Sequence, residues 1–161
     1  MALVFVFNKA GELVGPIDSP AWEFSPERWK SILTPEQFRV LRTQGTELAF
    51  SGMLHDNERS GVYICAGCSL PLFSSADKFD ARTGWPSFCR PLATENLRER
   101  TDQSHGLQRT AIVCTRCEGH LGHVFPDGPP PTGLRYSLNS ESLIFAPDNQ
   151  LSKLADPAAR S

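Results

Sequence analysis

Val62-Tyr63-Ile64-Cys65-Ala66-Gly67-Cys68 carries an apolar run into two cysteines separated by two residues, and Thr110-Ala111-Ile112-Val113-Cys114-Thr115-Arg116-Cys117 repeats the pattern. Each stretch reads as a short strand ending in a tight turn. A two-residue gap lets one turn aim both sulfurs at one point, and two such turns complete a tetrahedral set of thiolates. Cys65, Cys68, Cys114 and Cys117 are therefore expected to hold one Zn2+ per chain. All four ligand positions come from protein, so the ion would be structural rather than catalytic. Its binding would join segments remote in sequence and so contribute to folding. A redox dithiol, ordinary buried cysteines and iron in a rubredoxin-like site compete for the same residues; the repetition of strand and turn favours zinc. Zinc alone fixes no function.

Outward from these knuckles the chain is mostly short strands between turns. Leu134 to Phe145 is the longest strand candidate, and Gly128-Pro129-Pro130-Pro131-Thr132-Gly133 is a loop. Toward the N-terminus, Leu3 to Phe7, a turn at Asn8 to Gly11 and Glu12-Leu13-Val14 predict a hairpin. Pro26 to Ile32 predicts a short helix capped by Ser25. Thr34-Pro35-Glu36-Gln37 is a capping box that opens a second helix, with Phe38 and Leu41 on its apolar face and Gly45 placed to end it. The expected fold class is mostly β with short N-terminal helices.

The 161 residues suit one domain with its own core, and a formal net charge of -2 gives no reason to expect a nucleic-acid partner. No apolar run approaches the roughly 20 residues that span a bilayer, and Ala2 to Phe7 lacks the basic start of a signal peptide. No membrane partner and a cytoplasmic location, where thiols stay reduced, are the expectations. Residues 1–32 are expected to be a hairpin and helical extension packed on a main domain at 33–147, with 148–161 a flexible polar tail.

Three further clusters carry chemistry. Along Leu134-Arg135-Tyr136-Ser137-Leu138-Asn139, alternation puts Arg135, Ser137 and Asn139 on one face and Leu134, Tyr136 and Leu138 on the other. An isolated stripe of this kind is ordinarily a solvated strand face. A second cluster, His120-Leu121-Gly122-His123-Val124-Phe125-Pro126-Asp127, offers two imidazoles, a phenyl ring and a carboxylate; two histidines alone are more often a structural pair or an acid/base set than a second metal site. A third, Thr83-Gly84-Trp85-Pro86-Ser87-Phe88, holds Trp85 in a loop, where it caps the core or walls an apolar pocket.

Together with Leu33-Thr34-Pro35-Glu36-Gln37, Phe50-Ser51-Gly52, Lys78-Phe79-Asp80 and Gly133-Leu134-Arg135-Tyr136, these clusters closely resemble the B-type methionine sulfoxide reductases, from about Leu33 to Phe145. The resemblance implies two antiparallel sheets with helices on the N-terminal side, zinc away from the active site, and reduction of the R epimer of methionine sulfoxide in oxidised proteins or peptides. In that chemistry a thiolate attacks the sulfoxide sulfur, an acid protonates the oxygen, and methionine leaves a cysteine sulfenic acid, which a resolving thiol, thioredoxin or a small thiol reduces. Carried onto matching positions, the resemblance implies that Trp85 and Phe125 bound the substrate methyl group. It likewise implies that His120, His123 and Asp127 orient substrate and water and supply the proton, that Arg135 lowers the nucleophile's pKa, and that Asn139 holds its surroundings.

The sequence departs from the family at residue 137, where the attacking cysteine or selenocysteine is replaced by Ser137. A serine hydroxyl has a far higher pKa and cannot become a sulfenic acid, so the expectation is a chain that binds methionine sulfoxide without turning it over. Either the nucleophile of a complete reductase has been replaced, or the chain is a natural sulfoxide-binding module on the same zinc scaffold. A zinc-ribbon adaptor would account for the cysteines but not for the stripe or the Trp85 loop. Thr83 stands where many family members place the resolving cysteine; Cys89, a few residues on, is a possible resolving thiol or a bystander.

Overall fold

The hydroxyl of Thr34 accepts from the Gln37 backbone N–H, and the Gln37 side chain accepts from the Thr34 N–H. That reciprocal cap opens helix α2 (Pro35–Thr43), as the sequence predicts, and Ser25 caps α1 (Pro26–Ile32). The end of α2 differs from expectation. Gln44 rather than Gly45 takes the left-handed conformation, with φ 59°, and the Gly45 N–H then returns to the Arg39 carbonyl. Side-chain crowding at Gln44 is tolerable for one residue, so glycine is not needed there.

The computed structural model describes residues 2–159. Strands β1 (Ala2–Phe7) and β2 (Leu13–Ser19) form an antiparallel hairpin. After the helices come β3 (Gly61–Cys65), β4 (Pro71–Ser74), β5 (Lys78–Phe79), β6 (Ser87–Phe88), β7 (Leu97–Asp102), β8 (Arg109–Cys114), β9 (His120–Phe125), β10 (Arg135–Leu138) and β11 (Leu143–Pro147). They make two antiparallel sheets: six strands in the order β5-β6-β10-β9-β8-β7 and three in the order β11-β3-β4. The aromatic core lies between them, with Phe73 stacked on Phe88 at 4.5 Å and Tyr63 edge-on to Phe88 at 5.0 Å. All three rings are fully buried. Aromatic pairs at these separations add to the free energy of simple area burial.

The single strand expected over Leu134 to Phe145 is instead two strands in different sheets. Between β10 and β11 the chain makes a tight turn at Ser140–Ser142. The residues there explain it. Asn139, Ser140 and Ser142 bear short polar side chains that bind backbone groups and compete with a strand ladder. Asn139 accepts from the Glu47 N–H and donates to the Leu121 carbonyl, while Ser142 Oγ donates to the His120 carbonyl. The break leaves Asn139 buried at the end of β10.

Both ends of the chain are tied to the two sheets. Asn96, fully buried, accepts from the Phe5 N–H at 2.8 Å and donates to the carbonyls of Phe5 and Pro71 at 2.9 and 2.6 Å. Asn96→Leu would leave three backbone groups without partners. The expected loss is about 2–4 kcal/mol, read from the denaturant midpoint, because an unmet buried donor or acceptor costs its full desolvation. A midpoint unchanged in Asn96→Leu would show the clasp to be dispensable. At the other end, Asp148–Leu154 winds into 3-10 turns, Leu151 and Leu154 pack near Phe7, and the Asp156 N–H donates to the Phe7 carbonyl. Residue 1 of the expected extension and residues 160–161 of the expected tail lie outside the described residues.

Candidate active site and metal cluster

The cysteine pairs stand at the ends of β3 and β8. Cys68 Sγ lies 3.4 Å from Cys114 Sγ, Cys65 Sγ lies 3.7 Å from Cys117 Sγ, and all four sulfurs fall within 4.8 Å of one another. Sulfurs about 2.3 Å from a central zinc would be about 3.8 Å apart, so the arrangement fits a tetrahedral ion. The chemistry of the donors agrees. Hydrogen bonds to the neighbouring sulfurs push the Cys65 thiol well up, and burial pushes the Cys114 thiol well up. Such a cluster resists multiple ionisation by itself, and a dication removes that penalty.

The knuckle is closed from outside by the chain ends. Arg116, between the second pair of cysteines, is 2% exposed. Its guanidinium donates to the Cys68 carbonyl, pairs with Asp156 at 2.6 Å and lies 5.3 Å from the Trp22 ring centre. The Trp22 N–H donates to the Arg116 carbonyl, and Arg42 donates to the Cys117 carbonyl at 2.7 Å.

The polar stripe opens onto a cavity of about 250 Å³ walled by Trp85, His123, Phe125, Arg135, Ser137 and Asn139. Ser137 sits in mid-strand on β10, opposite His123 on β9 and Ser87 on β6. Directly paired residues share a face, which puts the His123 ring beside the serine. Strands β9 and β10 approach so closely that a Cβ on Gly122 would fall 2.0 Å from the Ser137 carbonyl oxygen. Only glycine fits there.

The other expected residues fall at different distances from this centre. Trp85 is held by its indole N–H, which donates to the Glu47 carbonyl at 3.1 Å. Phe50 fixes the same loop by donating its N–H to the Gly84 carbonyl. Asp127 grips Arg135 through two contacts, at 2.9 and 3.3 Å, and the guanidinium lies over the Phe125 ring at 4.3 Å. Asp127 thus reaches the cavity through Arg135, whose charge holds the carboxyl below its usual range. His120 is buried behind His123, with ring centres 5.3 Å apart, and burial pushes it down to about 4. It is neutral at pH 7. The Cys89 thiol lies 4.0 Å from the Asp77 carboxylate and forms no part of the cavity wall.

Two participants escape a reading of the sequence. Asp102 sits 2.7 Å from His123 Nε2, and its carboxyl is held well below the usual range by that contact and by the Ser104 N–H. Glu47, 4% exposed, accepts from the Glu141 N–H at 2.9 Å while its backbone holds Asn139 and Trp85. Both acids lie in polar stretches without a motif. The only sequence hint for Asp102 is its partner Arg109 across a short connection.

The sheets and the cysteine cluster define a SelR-domain protein: the family model described as SelR domain matches residues 33–147. Proteins named peptide methionine sulfoxide reductase MsrB are similar over most of the chain. That of Thiobacillus denitrificans is 59% identical over 120 residues, covering 74% of this chain and 91% of the relative. That of Leptospira interrogans is 54% identical over 121 residues, covering 75% and 92%, and that of Methanosarcina mazei is 51% identical over 131 residues, covering 81% and 94%. The chain belongs to the MsrB family.

Proposed function

We propose that the cavity around Ser137 receives the R epimer of methionine sulfoxide in oxidised proteins or peptides, and that the chain binds this group without reducing it. The observation that carries the reading is the position of Ser137, a hydroxyl at the centre of a wall otherwise furnished for sulfoxide chemistry. Trp85 and Phe125 offer apolar surface to the methyl group. His123, with His120 behind it, faces the polar side where the sulfoxide oxygen would lie. Arg135, steadied by Asp127, and Asn139 fix the surroundings of residue 137.

With cysteine at this position a thiolate attacks the sulfur, the sulfoxide oxygen passes with a proton to the cysteine, and methionine departs from a sulfenic acid. A second thiol then forms a disulfide and releases water. Serine cannot take the oxygen in this way, since the product would be a peroxide in place of a sulfenic acid. Cys89 sits outside the wall, so thioredoxin or a small thiol is the reductant for an active form. One structural zinc is held by Cys65, Cys68, Cys114 and Cys117 and supplies cross-linking rather than catalysis. A cytoplasmic setting suits the free thiols, and among the described residues no helix is long and apolar enough to cross a membrane. The completeness of the wall around a hydroxyl favours a reductase whose nucleophile has been replaced over a natural sulfoxide-binding module, since an abandoned site has no need of all its partners.

The test is thermal unfolding with peptides carrying the R sulfoxide, the S sulfoxide or unoxidised methionine. The R peptide alone is expected to raise the transition, by the equivalent of about 2.7 kcal/mol at one hundred times its Kd. Equal shifts from all three peptides, or none, would sink the reading.

A further inference from the structure

Asp102 ends β7 opposite Arg109 on β8, and no motif singles it out. Its Oδ2 lies 2.7 Å from His123 Nε2 and 3.4 Å from the Arg109 guanidinium, and its Oδ1 accepts from the Ser104 N–H at 2.9 Å. The His123 and Asp102 side chains are only 10% and 16% exposed. A contact this short, screened from water and braced on its far side, holds an imidazole ring in one orientation.

His120 provides an internal comparison. It lies on the same strand and is also buried, but its Nε2 has no hydrogen-bond partner. Burial pushes both rings toward the neutral form; at His123 the Asp102 carboxylate opposes that push, while Arg109 adds to it. The charged or titratable groups facing His123 are Asp102 from β7, Arg109 from β8 and His120 from β9 itself. From β10 the facing residue is Ser137, and Arg135 on that strand is engaged by Asp127.

We propose that Asp102 is the positioning residue of this site: it accepts the Nε2–H of His123, fixes the ring's tautomer and orientation, and leaves Nδ1 as the nitrogen that a ligand in the cavity meets. The proposal rests on the reading of that cavity as the sulfoxide site. Asp102 itself acts through His123 and touches no ligand. The two histidines then differ in kind. His123 is held in one tautomer beside a counter-charge, and His120 is a neutral ring behind it.

Long-range proton–nitrogen correlation spectra of the chain and of Asp102→Asn test this. The chain is expected to show His123 predominantly as the Nε2–H tautomer. In Asp102→Asn the tautomers should mix and the His123 titration should move to lower pH, since the group that favours its charged form is gone. His120 should move far less, and Asp102→Glu should recover part of the shift. An unchanged His123 tautomer and titration in a folded Asp102→Asn protein would overturn the proposal. In a Ser137→Cys background, Asp102→Asn should lower kcat/KM by about tenfold or more at neutral pH, about 1.4 kcal/mol or more. The alkaline limb should move to lower pH with little change in KM. A loss of rate equal at every pH would assign Asp102 a merely structural part and overturn the proposal. If the spectra behave as expected but Ser137→Cys shows no turnover, the reductase reading fails while the positioning of His123 by Asp102 stands.

Discussion

Ser137→Cys is expected to turn a chain that we propose binds the sulfoxide without reducing it into a working reductase. The gain should be at least about three orders of magnitude in rate, a barrier change on the order of 4 kcal/mol. A thiol beside His123 and Arg135 has an accessible anionic form and a sulfur that can carry oxygen; the serine hydroxyl has neither. The wall needs no rebuilding, because Ser137 and cysteine differ by one atom and the pairing with His123 and Ser87 is made by the backbone. The measurement is loss of the R sulfoxide from a peptide, with thioredoxin and with dithiothreitol in parallel. Turnover with both reductants that persists when Cys89→Ser is added would place the thiol supply outside the chain. If the cysteine form folds, keeps its metal and binds the R sulfoxide yet does not reduce it, catalysis has been lost elsewhere in the wall and the binding-module reading takes over.

Removing the metal is expected to unfold the protein. Structural zinc sites carry apparent binding free energies of about 10–16 kcal/mol in small peptides, as much as or more than the roughly 5–15 kcal/mol that holds a typical domain together. Four sulfurs from β3, β8 and the turns that follow them are buried in the core, and without an ion they would have only one another as partners. Cys114→Ser should therefore fail to hold zinc stoichiometrically and should lose its near-ultraviolet circular dichroism. A strong chelator should do the same to the original chain. Metal content is measured together with unfolding: a metal-free protein with its thermal transition intact would show that the cluster is not what joins the sheets.

Much of this arrangement is legible in the residues because the signals are local. The Thr34 capping box, the twin cysteine turns and the alternation around Ser137 each depend on neighbours a few positions apart, and each appears in the structure where the pattern puts it. The break at Asn139 is harder to see. The run through Leu143-Ile144-Phe145 has strand-forming residues on both sides, and it is the hydrogen-bonding of Asn139 to Glu47 and Leu121, of Ser140 to Leu54 and of Ser142 to His120 that makes the turn favourable. Asp102 and Glu47 are invisible for a similar reason. Their work is done across strands or against a remote loop, and a single acid in a polar stretch looks like any solvated side chain.

The clasp of Arg116 by Trp22 and Asp156 joins both ends of the chain to a turn that carries metal ligands. Neither Trp22 nor Asp156 lies within the part matched by the SelR family model. Coupling between two binding events is reciprocal. To whatever degree the ion steadies the Cys114–Cys117 turn and so favours docking of the ends, docking of the ends must raise affinity for the ion by the same factor. The flanking segments would then act as effectors of metal binding at the four cysteines, and a protein trimmed to residues 33–147 would be expected to compete less well for a scarce metal even with its four thiolates intact.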